Sequence, residues 1–174
     1  MGVFLYNLYM SRKPNTPKGT NLEYKIENYL EHNLHLIEDG LKLVRRQYKV
    51  YYKSKTYLGA IDLFCQGEDG AQVIVELKSG ELNSHNLGQI MSYYMVCKKR
   101  ADLYNLLPPR VYCIGYSIGP QYKLGLELLN GGELMNLTPQ IYEISLTSKI
   151  SDKEFEVKLY NYNMCDEGSL TIKL

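Results

Sequence analysis

The sequence has no tryptophan, three phenylalanines and three histidines in 174 residues. Its four cysteines (Cys65, Cys97, Cys113 and Cys165) lie far apart and form no Cys-x-x-Cys pair. His32 and His35 stand three apart with no Cys or His cluster to complete a tetrahedral set, so a structural zinc site is excluded and a surface role is expected for both. The cysteine pattern fits reduced thiols and a cytoplasmic, intracellular protein rather than a disulfide framework. No apolar run is long enough to cross a bilayer. The apolar start, residues 1–10, is too short and shows no signal-peptide cleavage pattern. Gly2 opens a myristoylation-like context, but Tyr6 stands where Ser or Thr is needed. Excess charge is also missing: 20 Lys and Arg against 19 Asp and Glu leave a net +1. Nucleic-acid binding by bulk charge is therefore excluded, and such a function must rest on local clusters. There is no internal repeat and no low-complexity tract.

What is present describes a globular domain. Hydrophobic residues make up 45% and charged residues 22%, enough for a real core within one domain plus an appendage. The 17 tyrosines suit half-buried strands. Residues 3–10 read as a short strand, and residues 11–19 as a basic, proline-bearing linker. A helix is predicted from about Asn21, which can cap it, with Leu22, Ile26, Tyr29, Leu30 and Leu34 on one face. Residues 41–57 then change period and read as strand, followed by a second strand from Gly59 and a third, strongly apolar one over 72–77. Ser84 can cap a second helix, residues 85–99, with Leu87, Ile90, Met91, Tyr94 and Met95 inward. A strand over 111–118, a short helix over 123–129, a turn at Gly131-Gly132 and a strand over 141–146 complete the main body. The tail, 154–174, reads as two strands around Asp166-Glu167-Gly168. The order is that of a mixed α/β domain.

The chemistry concentrates in residues 59–78. Asp62 follows Gly59-Ala60-Ile61 on the second strand, and Glu76 and Lys78 sit two apart on the third, so they share a face. A carboxylate and an amine at the end of an apolar central strand are costly unless a partner compensates them. A divalent metal and an anionic substrate do so. Phosphodiester hydrolysis needs an activated water and charge stabilisation at phosphorus. Mg²⁺ is a hard ion that takes carboxylate and carbonyl oxygens. Asp62, Glu76 and the Leu77 carbonyl can supply its protein ligands, with a further carboxylate from the first helix. Lys78 can then orient the attacking water.

Gly59-x-x-Asp62, a turn, then apolar-Glu76-x-Lys78 resembles the PD-(D/E)xK nuclease superfamily. Gly59-Ala-Ile-Asp-Leu-Phe, Val73-Ile-Val-Glu-Leu-Lys and Gly88-Gln-Ile-Met-Ser-Tyr together look like the catalytic domain of NucS/EndoMS endonucleases and their RecB-like relatives. The run over 33–43 (NLHLIEDGLKL) matches the segment before the first strand in that group. The first helix, Gly19-x-x-x-Glu23 followed by Ile26 and Leu30, resembles the metal-binding helix of archaeal Holliday-junction resolvases.

The resemblance covers residues 20–146 and implies a restriction-endonuclease-like fold: a mixed central sheet flanked by helices, here preceded by a strand and linker (1–19) and followed by a C-terminal β extension, a hairpin (147–174). It implies Glu23 as the helix carboxylate, with Glu27 as runner-up, and catalytic roles for Asp62, Glu76, Lys78 and Gln89. Tyr93 follows one turn later, as in the group's Gln-x-x-x-Tyr pattern. The metal set is then Glu23, Asp62, Glu76 and Leu77, holding Mg²⁺ or Mn²⁺. Ile61 replaces the usual proline, and the N-terminal DNA-binding domain of NucS has no counterpart, so the resemblance implies a reaction but no mismatch specificity.

Residues 42–55 hold Lys42, Arg45, Arg46, Lys49, Lys53 and Lys55 among Tyr48, Tyr51 and Tyr52, without one acid. Two readings stand: a basic strand tracking a phosphate backbone, in which Arg45, Arg46, Lys49, Lys53, Lys55 and Tyr93 meet nucleic acid, or an edge strand protected by lysines. Lys98, Lys99 and Arg100 read as charges suited to a helix C-terminus. The expectation is an Mg²⁺-dependent endonuclease on branched, nicked or flapped DNA, acting as a homodimer whose interface is the first strand and tail hairpin. The rivals are a catalytically silent nucleic-acid- or protein-binding module on the same fold, and an RNA-directed nuclease.

Overall fold

The computed structural model describes residues 21–53, 55–130, 137–145 and 156–161. The expected first strand, the Gly131-Gly132 turn, Cys165 and the second tail strand lie outside these residues, as does the side chain of Asn21, the expected cap.

Helix α1 (Asn21–His32) forms because Ile26 and Leu30, four apart, bury one stripe, flanked by the partly buried Leu22 and Tyr29. It ends where Asn33 Nδ2 donates to the Tyr29 carbonyl at 2.8 Å, and a 3-10 turn (Leu34–Leu36) follows. Gly40, at φ 74°, turns the chain into the sheet.

The sheet has the order β1-β2-β3-β5-β7-β8. Strands β1 (Lys42–Tyr52), β2 (Thr56–Gln66) and β3 (Gln72–Leu77) form an antiparallel meander. Strands β5 (Arg110–Gly115) and β7 (Leu137–Ser145) then join parallel, and β8 (Glu156–Asn161) returns antiparallel at the far edge. Strand β3 is buried along almost its whole length, as expected of a central strand with a parallel neighbour. Short strands β4 (Glu81–Leu82) and β6 (Ser117–Ile118) pair beside the main sheet.

Each face of the sheet has its own core. Leu63, Val73, Val75 and Leu77 pack against Ile26 and Leu30 of α1. On the other face Phe64, Ile74 and Val111 meet Leu87, Ile90 and Tyr94 of α2 (Ser84–Leu103) and Tyr122 of α3 (Pro120–Asn130).

Several sequence boundaries move. The strand expected over 41–57 is two strands, β1 ending at Tyr52 and β2 starting at Thr56; Lys53 takes φ 49° and the Lys55 N–H donates back to the Tyr52 carbonyl at 3.1 Å. Asn83, rather than Ser84, caps α2: its side chain accepts from the His85 and Asn86 amides while Asn86 reaches back to the Asn83 amide. The helix runs to Leu103, past the expected Lys99. Its buried stripe passes through Leu87, Ile90, Tyr94, Cys97 and Ala101, so Met95 points outward, 46% exposed. The strand expected over 111–118 is two strands, β5 and β6. The tail strand β8 pairs with β7 and so extends the main sheet. Cys65, Cys97 and Cys113 are free and buried. Among the described residues no helix is long and apolar enough to cross a membrane.

Candidate active site

The site lies where the sheet opens. The β2–β3 ladder ends at the pair Leu63–Val75, and Asp62 and Glu76 stand at the next position on each strand. Past that point β3 stays attached to β5, with Glu76 opposite Cys113 and the Lys78 amide donating to the Ile114 carbonyl at 2.9 Å. The Leu77 amide, which has lost its β2 neighbour, donates to Asp62 Oδ2 at 2.8 Å. A side-chain carboxylate thus replaces a ladder acceptor and is fixed at the fork.

Lys78 Nζ donates to Glu76 Oε1 at 2.7 Å and to the Leu77 carbonyl at 2.9 Å. Glu76 is 1% exposed, and its second oxygen, Oε2, is buried without a hydrogen-bond partner. Burial and the neighbouring Asp62 charge push the Glu76 carboxyl up to about 8, against the pull of Lys78. Burial also lifts Asp62 to about 6, although Lys78, the Leu77 amide and Gln47 all favour its charged form. Burial pulls the Lys78 ammonium down, but Glu76 and Asp62 outweigh it and hold it above its ordinary value. Two buried acids displaced toward neutrality thus stand beside a held lysine, an arrangement that recurs at functional sites.

Helix α1 brings two carboxylates to the fork. Glu23 Oε2 accepts from the Ser79 amide at 3.2 Å, just past Lys78. Glu27, 4% exposed, reaches Asp62 through Gln47: Gln47 Nε2 donates to Asp62 Oδ1 at 2.9 Å and lies 3.3 Å from both Glu27 oxygens. Sequence reasoning missed Gln47, and nothing in its strand-like surroundings singles it out. Its backbone does, at φ 47° in the middle of β1.

Gln89 and Tyr93 form a support on the α2 side. Gln89 Nε2 donates to the Tyr93 hydroxyl at 2.8 Å, which donates to the Ala60 carbonyl at 3.3 Å. The hydroxyl fits because Gly59 has no side chain: a Cβ there would stand 2.1 Å from it. Burial, then the Glu76 charge, pushes the Tyr93 hydroxyl up to about 12.

The residues expected to meet nucleic acid divide. Arg45, Lys49, Lys53 and Lys55 are exposed. Arg46 turns inward and binds Glu27 at 2.9 Å, Asn28 at 2.7 Å and Glu31 at 2.6 Å, clamping α1 to β1. Tyr93 has no exposed surface, so in this structure it braces the strand before Asp62 and does not face solvent.

The donor atoms at the fork are of the kind a hard cation takes. A cation, the Lys78 ammonium, already sits between two hard oxygens, those of Glu76 and Leu77. The partnerless Glu76 Oε2 leaves a further acceptor unused. Among the described residues, however, no three acidic, imidazole or thiol groups converge on one point. Glu23 and the Asp62–Glu76 pair therefore do not form a closed cage in this arrangement.

A mixed sheet that parts at a paired aspartate and Glu-x-Lys, with a helix carboxylate beside the gap, defines the restriction-endonuclease-like class. Residues 22–105 match the family Endonuclease NucS C-terminal domain, a PD-(D/E)xK-like nuclease family, and that interval holds every candidate catalytic residue. The fold is similar to that of a repair endonuclease from Pyrococcus abyssi, with TM-score 0.53, 21% identity, and 70% of this chain and 47% of that one covered. It is also similar to EndoMS in a complex with double-stranded DNA (TM-score 0.52, 20% identity, 73% and 48% covered). EndoMS in its apo form gives TM-score 0.50 at 21% identity, with 65% and 44% covered. The chain spans less than half the length of these proteins, and at such identities the likeness is one of fold. No curated protein matches the chain.

Proposed function

We propose that the chain is a metal-dependent DNA endonuclease that hydrolyses phosphodiester bonds in branched or otherwise structured DNA. The observation that carries the reading is the fork itself: Asp62 and Glu76 stand side by side where β2 leaves β3, with Lys78 on the same strand end. Asp62, Glu76 and the Leu77 carbonyl would hold Mg²⁺ or Mn²⁺, with Glu23 as the α1 carboxylate. A bound divalent ion supplies a Lewis acid for the phosphoryl oxygens. Lys78, released from Glu76, positions the attacking water and steadies the charge developing at phosphorus. Gln89 holds Tyr93, and Tyr93 holds the backbone at Ala60. The exposed Arg45, Lys49, Lys53 and Lys55 give the phosphate backbone its contacts. Two cuts need two sites, so a homodimer suits double-strand cleavage, and light scattering showing a monomer at micromolar concentration would count against it.

Two contacts favour a second reading, a silent binding module on the same fold: Lys78 is closed onto Glu76, and Glu23 is engaged by Ser79. A side-by-side digest separates the readings. Branched, nicked, flapped and duplex DNA and matched RNAs are offered with Mg²⁺ or Mn²⁺. Metal-dependent DNA cutting supports the proposal, cutting of RNA alone transfers the chain to RNA, and no cutting by folded protein favours the binding module.

A further inference from the structure

Among the described residues, the fork end of the sheet holds two buried polar atoms without a hydrogen-bond partner: Glu76 Oε2 and the Tyr122 hydroxyl of α3. Tyr122 lies in the core beside Leu126 of the same helix, and its side chain has no exposed surface. Cys113 links the two residues. It stands opposite Glu76 in the parallel β3–β5 register, so both side chains project from one face of the sheet. It also packs in the same core cluster as Tyr122. Burial, then the Cys113 thiol and the Glu76 charge, pushes the Tyr122 hydroxyl far above its ordinary range.

Packing alone does not call for this hydroxyl. A phenylalanine would fill the same space without burying a polar atom that gains no bond. Other donors near Glu76 are committed elsewhere. The Leu77 amide serves Asp62, the Lys78 amide serves the Ile114 carbonyl, and the Tyr93 hydroxyl serves the Ala60 carbonyl. A thiol such as that of Cys113 is a weak donor. The Asp62 amide favours the charged form of Glu76, yet Oε2 stays without a bonded partner. A carboxylate that holds a divalent ion must be ionised, and a donor on its second oxygen favours that state and fixes its orientation.

We propose that Tyr122 is a positioning residue for Glu76: when Lys78 Nζ gives up Oε1 to a divalent ion, the Tyr122 hydroxyl donates to Oε2 and fixes the carboxylate. The divalent ion rests on the nuclease reading above. Tyr122 keeps its proton, touches neither ion nor substrate, and acts through Glu76. Helix α3 thus supports the site together with α1 and α2, although Tyr122 lies outside residues 22–105, the interval that matches the family.

The test is Tyr122→Phe in the full chain, which removes one oxygen and keeps the ring. Mn²⁺ binding is followed by electron paramagnetic resonance at one fixed pH and without DNA, so the readout does not depend on cleavage. The variant should bind Mn²⁺ about tenfold more weakly than the parent, or worse. In EDTA its melting temperature should equal or exceed the parent's, because a buried hydroxyl without a partner has left the core. The same loss of Mn²⁺ affinity should appear when Tyr122→Phe is made on Cys113→Ala, since the bond goes to Glu76. A loss that vanishes in that background would assign the hydroxyl to the thiol and overturn the proposal. A lower melting temperature in EDTA would show that the hydroxyl already bonds within the core, and would overturn it too. Equal Mn²⁺ affinity for parent and variant sinks this inference alone. Mn²⁺ binding that depends on Tyr122, in a protein that cuts no DNA, sinks the nuclease reading alone. A parent that binds no Mn²⁺ sinks the metal reading and this inference with it.

Discussion

Gln47 Nε2 donates to Asp62 Oδ1 at 2.9 Å from a residue held at φ 47° inside a β-strand. The register pairs Arg46 with Leu63 and Tyr48 with Ile61, so Gln47 stands across from Asp62. The left-handed residue also turns the strand over: Arg46 reaches α1, whereas Tyr48, stacked on Phe64, packs on the α2 side. A non-glycine residue in this conformation costs on the order of 1–3 kcal/mol and persists where surrounding contacts enforce it. Here they include both Glu27 oxygens and Asp62.

Gln47→Gly should therefore separate stability from activity. Glycine relieves the backbone strain, and thermal unfolding should show a change of at most about 1 kcal/mol. Asp62 loses the bond that orients it, and DNA cleavage should slow by about ten- to a hundredfold. Loss of stability with unchanged cleavage would make Gln47 merely structural.

Gly59 and Tyr93 form a second coupled pair. Gly59→Ala places a Cβ 2.1 Å from the Tyr93 hydroxyl at φ 141°, so it should destabilise the protein by about 3 kcal/mol. Tyr93→Phe should recover part of that loss, because the ring carbon behind the hydroxyl is still 3.0 Å away and the backbone strain stays. Urea denaturation of both single variants and the double variant gives the coupling energy, and strict additivity would deny the contact.

Acid burial sets a pH dependence. Both acids are raised, Asp62 to about 6 and Glu76 to about 8. The folded state thus favours their protonated forms, and the stability this gives is complete below the unfolded values and lost as pH rises through the folded ones. Lys78 is raised too, but its contribution is lost only at pH above its ordinary range. In EDTA the melting temperature should fall from pH 5 to pH 8.5, and Mn²⁺ should restore more of it at pH 8 than at pH 6. A flat profile, or an equal metal effect at both pH values, would contradict the buried acid pair.

Arg46 is predicted to be structural. Its guanidinium holds three side chains of α1, among them the buried Glu27. Arg46→Ala leaves that carboxylate without its cation and should cost about 3 kcal/mol or more. Arg46→Lys should recover little, since an ammonium cannot reproduce the planar fork. If both variants melt like the parent and only DNA affinity falls, Arg46 is a phosphate contact after all.

The parts of the site legible in the sequence are those written in strand periodicity. Glu76 and Lys78 interrupt an apolar strand at alternate positions, and Asp62 follows a glycine at a fixed remove, so the fork residues stood out. Glu23 was legible through likeness of its helix, and the structure places it at Ser79, past the acid pair. Gln47 was silent because glutamine at a strand position carries no sign of a left-handed backbone. The β1–β2 turn was silent for a similar reason: Lys53 takes φ 49° where glycine or asparagine would have announced it. The basic run looked uniform in sequence, and only the fold shows Arg46 turned to α1 while Lys99 and Arg100 join the other side. Tyr93 shares a helical face with Gln89, but its burial depends on the space left by Gly59, thirty-four positions earlier.

On the proposed reading, the Asp62–Glu76–Lys78 fork cleaves DNA with a divalent ion. The most direct measurement compares wild type, Asp62→Ala and Lys78→Ala on one labelled flapped DNA, each in Mg²⁺, Mn²⁺ and EDTA, with melting curves to show that all three are folded. Wild type should cut in metal and not in EDTA, and neither variant should cut. Cutting that survives EDTA, or persists in the folded Asp62→Ala and Lys78→Ala proteins, would contradict that reading.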